Sequence, residues 1–237
     1  MAMYALIHGA SDVGWYWHLI ERELRARGHD TVAPDLPSED DDATLADNAQ
    51  VVLDAIEATP DRDELVVVGQ SYGGYVAPIV AERAGADHLI LVAGMIPKPG
   101  ETAGEMWEAT GWRMPRADDS SEIGVFYHDV DPDLAAEAMS KERRQSETTG
   151  REPWPLPAWP DVPTHFILCR NDRFFPADWM RQVVRERLGI EPEEIDSGHT
   201  PALSHPTELV DLMESFQGAT DEDPSRGRSI TAETPRR

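Results

Sequence analysis

Lysine is nearly missing from this chain. Only Lys98 and Lys141 carry an ammonium side chain, and the 21 Lys and Arg residues face 45 Asp and Glu, a formal net charge of -24. A surface of that sign repels nucleic acid and anionic membranes, so polyanion binding is excluded as a class of function. Cysteine is reduced to one residue, which rules out an intramolecular disulfide framework. Cys169 ends the apolar run Phe166 to Leu168, where a small buried strand residue is expected rather than a thiol nucleophile. No apolar stretch reaches 18 residues, and no basic segment followed by an apolar core opens the chain. Neither a membrane span nor a secretory signal is expected, and a cytoplasmic location fits. The carboxylate excess has two available origins: a high-salt interior that screens self-repulsion, or a compositional bias of the genome. A melting temperature that rises with KCl marks the first and a flat profile the second.

What is present is an alternation. The 237 residues suit one main domain with room for an insertion. Short apolar strands are expected at Met3 to Ile7, Thr31 to Ala33, Leu65 to Val68, His88 to Val92, Thr164 to Leu168 and Glu194 to Ile195. Amphipathic helices are expected at Trp15 to Arg27, Thr44 to Ala58, Tyr72 to Ala84, Ala177 to Leu188 and Pro206 to Phe216. Such alternation predicts an α/β fold with a doubly wound, mostly parallel sheet covered by helices on both faces. From Pro97 to Pro160 the pattern breaks into proline, glycine, charge and four tryptophans, with one clear helix at Pro132 to Gln145. This stretch is too long for a loop and too irregular for another βα unit, so 97–160 is expected to be an inserted helical cap on a core formed by 1–96 and 161–217. Residues 218–237 lose their apolar content and are expected to form a disordered tail. The acidic run Glu39 to Asp42 lacks the alternating ligands and glycine of a calcium loop, so no metal site is expected there.

Gly69-Gln70-Ser71-Tyr72-Gly73 follows the strand Leu65 to Val68 and opens a helix, the strand-turn-helix setting of a nucleophile elbow. Gly-x-Ser-x-Gly arises by chance in roughly one chain in twelve of this length, so the setting carries the assignment of Ser71 as nucleophile. A second glycine loop, His8-Gly9-Ala10-Ser11, leaves the first strand and can aim backbone N-H groups at an oxyanion together with the N-H of Tyr72. A base and an orienting carboxylate belong in loops leaving the carboxyl ends of later strands. His199 follows the strand at Glu194 and Ile195, and Asp172 follows Thr164 to Leu168. The order Ser71, Asp172, His199 suits a sheet enzyme of this type. His8 sits where it more often braces the oxyanion loop. Glu101, early in the insertion, stays open as an alternative acid, while Asp196 is too close to His199 in sequence and Asp178 lies on the next helix.

Five segments in order carry a resemblance: His8-Gly9-Ala10 with Trp15 and Trp17, Ala33 to Pro37, Gly69 to Gly74, Cys169 to Asp172, and Gly198 to Ser204. Over about Met3 to Phe216 the chain resembles the α/β-hydrolase fold superfamily, most closely the cofactor-free small serine esterases related to plant methylesterases and hydroxynitrile lyases. The resemblance implies nucleophile Ser71, acid Asp172, base His199, and oxyanion N-H groups from Ala10 and Tyr72. The first antiparallel strands of larger members are absent, which suggests a minimal sheet of about six strands. The lyase branch typically carries a lysine beside its histidine, where Thr200 stands here, and cyanohydrin cleavage is disfavoured accordingly. The expected activity is hydrolysis of small apolar or aromatic carboxylic esters through an acyl-enzyme, with no metal or organic cofactor. Met95, Trp107, Phe126 and Tyr127 are the expected pocket residues. Lactonase, perhydrolase or lyase-like chemistry in the same pocket, and a non-turnover ligand receptor, remain the alternatives.

Overall fold

Residues 1–59, 63–113 and 121–218 are described by a computed structural model of the chain. The chain begins in β1 (Ala2–Ile7), turns through one 3-10 turn at Gly14–Trp17, and enters α1 (His18–Ala26). β2 (Asp30–Val32), α2 (Leu45–Glu57), β3 (Glu64–Gln70), α3 (Gly73–Ala84) and β4 (His88–Val92) follow. Among the described residues four short helices then separate β4 from the next strand: α4 (Ala103–Thr110), α5 (Glu122–Phe126), α6 (Pro132–Lys141) and α7 (Thr148–Arg151). β5 (Thr164–Cys169), α8 (Ala177–Leu188), β6 (Glu193–Ile195), α9 (Pro201–Ser204) and α10 (Pro206–Gly218) complete the described chain.

The six strands form one parallel sheet in the order β2-β1-β3-β4-β5-β6. The continuous apolar character of β1, β3 and β4 has a direct cause: helices cover both faces, so every residue of β1 and β4 is buried. The chain runs outward from β1 to β2, then returns to place β3 on the other side of β1. That reversal is a topological switch point, where the loops leaving two neighbouring strands diverge and open a crevice. Register does the rest. Ile7 pairs with Gly69, so the loop after β1 emerges beside the turn after β3, and Cys169 pairs with Ile195, so the loops carrying Asp172 and His199 emerge side by side.

Several boundaries differ from the sequence expectation. The helix expected from Trp15 begins only at His18, because the preceding residues take the tighter 3-10 turn. The helix expected to reach Gln145 ends at Lys141. Glu142 is extended, and the next amide, Arg143 N-H, donates to the Ser11 carbonyl (2.8 Å) instead of continuing the helix. α4 has a capping box, Thr102 with Glu105, that was readable as Thr-x-x-Glu. The tail expected at 218–237 falls outside the described residues beyond Gly218. Among the described residues no helix is long and apolar enough to cross a membrane.

The helix α3 lies unusually close to the strand ends. A Cβ on Gly74 would stand 2.1 Å from the Met95 carbonyl oxygen and 2.7 Å from its nitrogen, and neither backbone atom can step aside. Gly74→Ala is therefore expected to cost about 3 kcal/mol, read as a fall in melting temperature of roughly 10 °C. An unchanged melting temperature would contradict this packing.

Candidate active site

Ser71 occupies the turn between β3 and α3 with φ +51°, a left-handed conformation that few non-glycine residues adopt. Its surroundings enforce the strain. Ser71 N-H donates to Val92 O (3.2 Å), and its carbonyl accepts from both Gly74 N-H (3.0 Å) and Met95 N-H (2.9 Å). A Cβ on Gly73 would lie 2.7 Å from Ile7 O, so only glycine lets the turn sit this tightly on β1. Among the described residues no backbone carbonyl accepts from the N-H of Tyr72, next along the turn, or from that of Ala10 in the loop after β1.

Asp172 and His199 meet as adjacent strand ends require. His199 Nδ1 lies 2.7 Å from Asp172 Oδ2, while Asp172 Oδ1 accepts from the N-H groups of Phe174 (2.7 Å) and Phe175 (2.9 Å). The carboxylate is thus fixed on one side by two amides and presents its other oxygen to the imidazole. Both residues are buried. Phe126, Phe174 and Phe175 approach the His199 ring edge-on at 5.3–5.4 Å and restrict its rotation. The backbone of the His199 loop is held as well. Gln70 Nε2 donates to His199 O (3.1 Å), Gly198 N-H donates to Asp129 Oδ2 (2.6 Å), and Thr200 Oγ1 donates to Phe126 O (2.7 Å).

The rival carboxylates are engaged elsewhere. Glu101 gives both oxygens to the buried Arg187, Asp196 accepts from Asn171 Nδ2 (2.9 Å), and Asp178 pairs with Arg181. Each is committed to a structural contact.

Ser71 and His199 line one cavity of about 170 Å³, together with Ala10, Phe126 and Tyr127. Two expected pocket residues lie outside its lining. Met95 braces the serine turn through its backbone, and Trp107 packs into an aromatic cluster with Trp112 (4.6 Å) and Phe175 (5.7 Å). Tyr72 also stays out of the lining with its ring, which stacks on Tyr75.

His8 sits at the end of β1, wholly buried. Its Nε2 accepts from Leu36 N-H (3.0 Å), so the ring proton is on Nδ1 and is donated to Gly9 O (2.8 Å). Burial, only partly offset by that bond, lowers its pKa to about 4. The unfolded chain takes up a proton here near the ordinary pH 6.5, the folded chain only near pH 4. The stabilising contribution is complete above 6.5 and is lost as pH falls to 4, by about 3 kcal/mol. Urea unfolding at pH 7 and pH 4 is expected to show His8→Gln losing less stability over that interval than the parent. An equal loss would contradict the assignment.

A family model described as the alpha/beta hydrolase family matches residues 5–212. The chain belongs to that family. Methylesterase 3 of Arabidopsis thaliana is 24% identical over 244 residues, covering 88% of this chain and 93% of the relative. A carbendazim hydrolyzing esterase of a Nocardioides species is 31% identical over 111 residues, 43% of this chain and 46% of that protein. Among solved structures, polyneuridine aldehyde esterase superposes with a TM-score of 0.78 at 17% identity, covering 92% of this chain and 99% of the other. A pyrethroid hydrolase from Sphingobium faniae JZ-2 gives 0.74 at 20% identity, covering 94% and 99%.

Sequence reasoning missed part of this alpha/beta hydrolase's cavity. Asp12, Gln70, Glu122, Glu142, Phe174 and Thr200 also line it. Gln70 stands inside the elbow motif, and Phe174 lies two residues past Asp172, so both were within reach. Asp12, Glu122 and Glu142 had no distinguishing signal in so acidic a chain. Burial first, then the charges of Glu142 and Glu122, push Asp12 up to about 7. Glu142 is likewise raised to about 7, by burial against a lowering bond from Tyr127 and a raising contact with Glu122. Among the described residues no group of three or more His, Cys, Asp or Glu is arranged to hold a metal ion.

Proposed function

We propose that the protein is a serine carboxylesterase acting on small apolar or aromatic esters through an acyl-enzyme. The observation that carries this reading is the 2.7 Å contact of His199 Nδ1 with Asp172, which leaves Nε2 for a serine that lines the same cavity. His199 Nε2 takes the Ser71 Oγ proton as Oγ bonds to the ester carbonyl carbon. The carbonyl electron pair moves onto oxygen, facing the N-H groups of Ala10 and Tyr72, each such donor being worth about 3 kcal/mol of barrier. Collapse breaks the ester C-O bond, and the leaving alkoxide takes the proton from the imidazolium. Water, deprotonated by the same nitrogen, then releases the acid and restores Ser71. Asp172 holds the tautomer and offsets the imidazolium charge.

Residues 97–160 act in this reading as a cap, since α5 and the end of α6 supply one side of the cavity, on a core of 1–96 and 161–217. The cavity is smaller than the roughly 300–1,000 Å³ of drug-sized sites, which favours small acyl and alcohol groups. The test is stopped-flow turnover of p-nitrophenyl acetate and butyrate. A burst of nitrophenol equal to the enzyme, followed by slower multiple turnovers, supports the acyl-enzyme. Absence of turnover with both esters counts against it.

A further inference from the structure

Three carboxylates from three separate elements converge on the cavity: Asp12 from the loop after β1, Glu122 from the first turn of α5, and Glu142 at the C-cap of α6. No Lys or Arg is among the described lining residues. Asp12 has no hydrogen bond or ion pair among them; what it meets is burial and the like charges of Glu142 and Glu122. Glu142 stands at a helix C-terminus, where the macrodipole opposes a negative charge; it accepts from the Tyr127 hydroxyl (2.7 Å) and shares a side-chain hydrogen bond with Glu122. The same cavity is lined by aromatic rings, Phe126 and Phe174 at 5.1 Å from one another, and Tyr127. Aromatic rings and carboxylates that face no basic side chain in one cavity are the two elements that attract an organic ammonium ion. The carboxylates do not close on a point as metal ligands do, so a diffuse organic cation suits them better than a metal ion.

We propose that Asp12, Glu122 and Glu142 select esters that carry a cationic amine, with the ammonium held between these carboxylates and the rings of Phe126 and Phe174 while the ester reaches Ser71. The proposal rests on the esterase reading of the cavity. It makes the three carboxylates specificity residues and gives them no part in bond cleavage.

The test compares isosteric pairs that differ in charge alone. On the alcohol side the pair is acetylcholine and 3,3-dimethylbutyl acetate. On the acyl side it is methyl 4-(trimethylammonio)butanoate and methyl 5,5-dimethylhexanoate. At pH 8.5 and low salt, kcat/KM is expected to favour the cation by about tenfold or more in at least one pair. Asp12→Asn with Glu142→Gln should bring that ratio close to one. The double variant removes only two of 24 net negative charges, so long-range attraction by the whole surface persists and cannot explain the loss. Raising KCl on the unaltered protein gives a second reading that needs no variant, and the preference should decline with salt. Equal or better turnover of the neutral member in both pairs overturns the proposal and leaves the esterase standing. If no ester is turned over, the esterase reading fails instead. Calorimetric titration with benzyltrimethylammonium then decides the cation site alone: saturable binding lost in the double variant upholds it, and no binding rejects it.

Discussion

Ser71→Ala is expected to lower kcat on a small ester by about a thousandfold or more while the protein stays folded. The substitution removes one oxygen from a largely buried residue and keeps a Cβ, so the strained turn has the same occupant in steric terms. The hydrogen bonds that hold the turn, to Val92, Gly74 and Met95, all use the Ser71 backbone and survive the change. Stability should therefore move by less than about 1 kcal/mol, and circular dichroism and melting should match the parent. Any residual rate comes from the cavity and the two N-H groups acting on direct attack by water. KM should change little. Near-normal turnover in a folded variant would remove Ser71 from the chemistry.

Asp172→Asn is expected to reduce kcat by about 10³–10⁴-fold, again without unfolding. The reason lies in which atom faces which. Two amide donors, Phe174 and Phe175, point at Oδ1, so the asparagine oxygen must stay there, since turning its NH₂ toward two N-H groups would set donors against donors. The NH₂ then faces His199 Nδ1 and forces that nitrogen to be the acceptor. The ring proton moves to Nε2, where it blocks removal of the Ser71 proton. Asp172→Ala differs in a measurable way: it leaves both amides unpaired in a buried site and should cost about 2 kcal/mol of stability besides the activity. A folded Asp172→Asn variant with more than a tenth of parental kcat would contradict the role.

The parallel sheet was legible because its strands are buried on both faces and read as short apolar runs between amphipathic helices. Once strands of one sense are granted, the chain positions of Ser71, Asp172 and His199 place all three at carboxyl ends, and register brings the last two into contact. Asymmetry of detail was less accessible. The end of α6 is hidden because Glu142 to Gln145 keep helical propensity, yet Arg143 N-H is claimed by the Ser11 carbonyl, the Gln145 side chain by Ser11 N-H, and the Arg143 and Arg144 guanidinium groups by the loop after β2. Met95 and Trp107 are apolar and close to the site in the chain, but one is used through its backbone and the other in aromatic packing. The acidic lining was invisible for the opposite reason: among 45 carboxylates, no pattern distinguishes the three that turn inward.

The central claim is that Ser71 is an activated nucleophile, and it is tested most directly by a fluorophosphonate probe with intact-mass and peptide-level readout. The parent is expected to take up one label at Ser71, with labelling much slower in His199→Ala and Asp172→Asn and absent in Ser71→Ala. A folded parent that stays unlabelled, or one labelled at another residue, would contradict the claim.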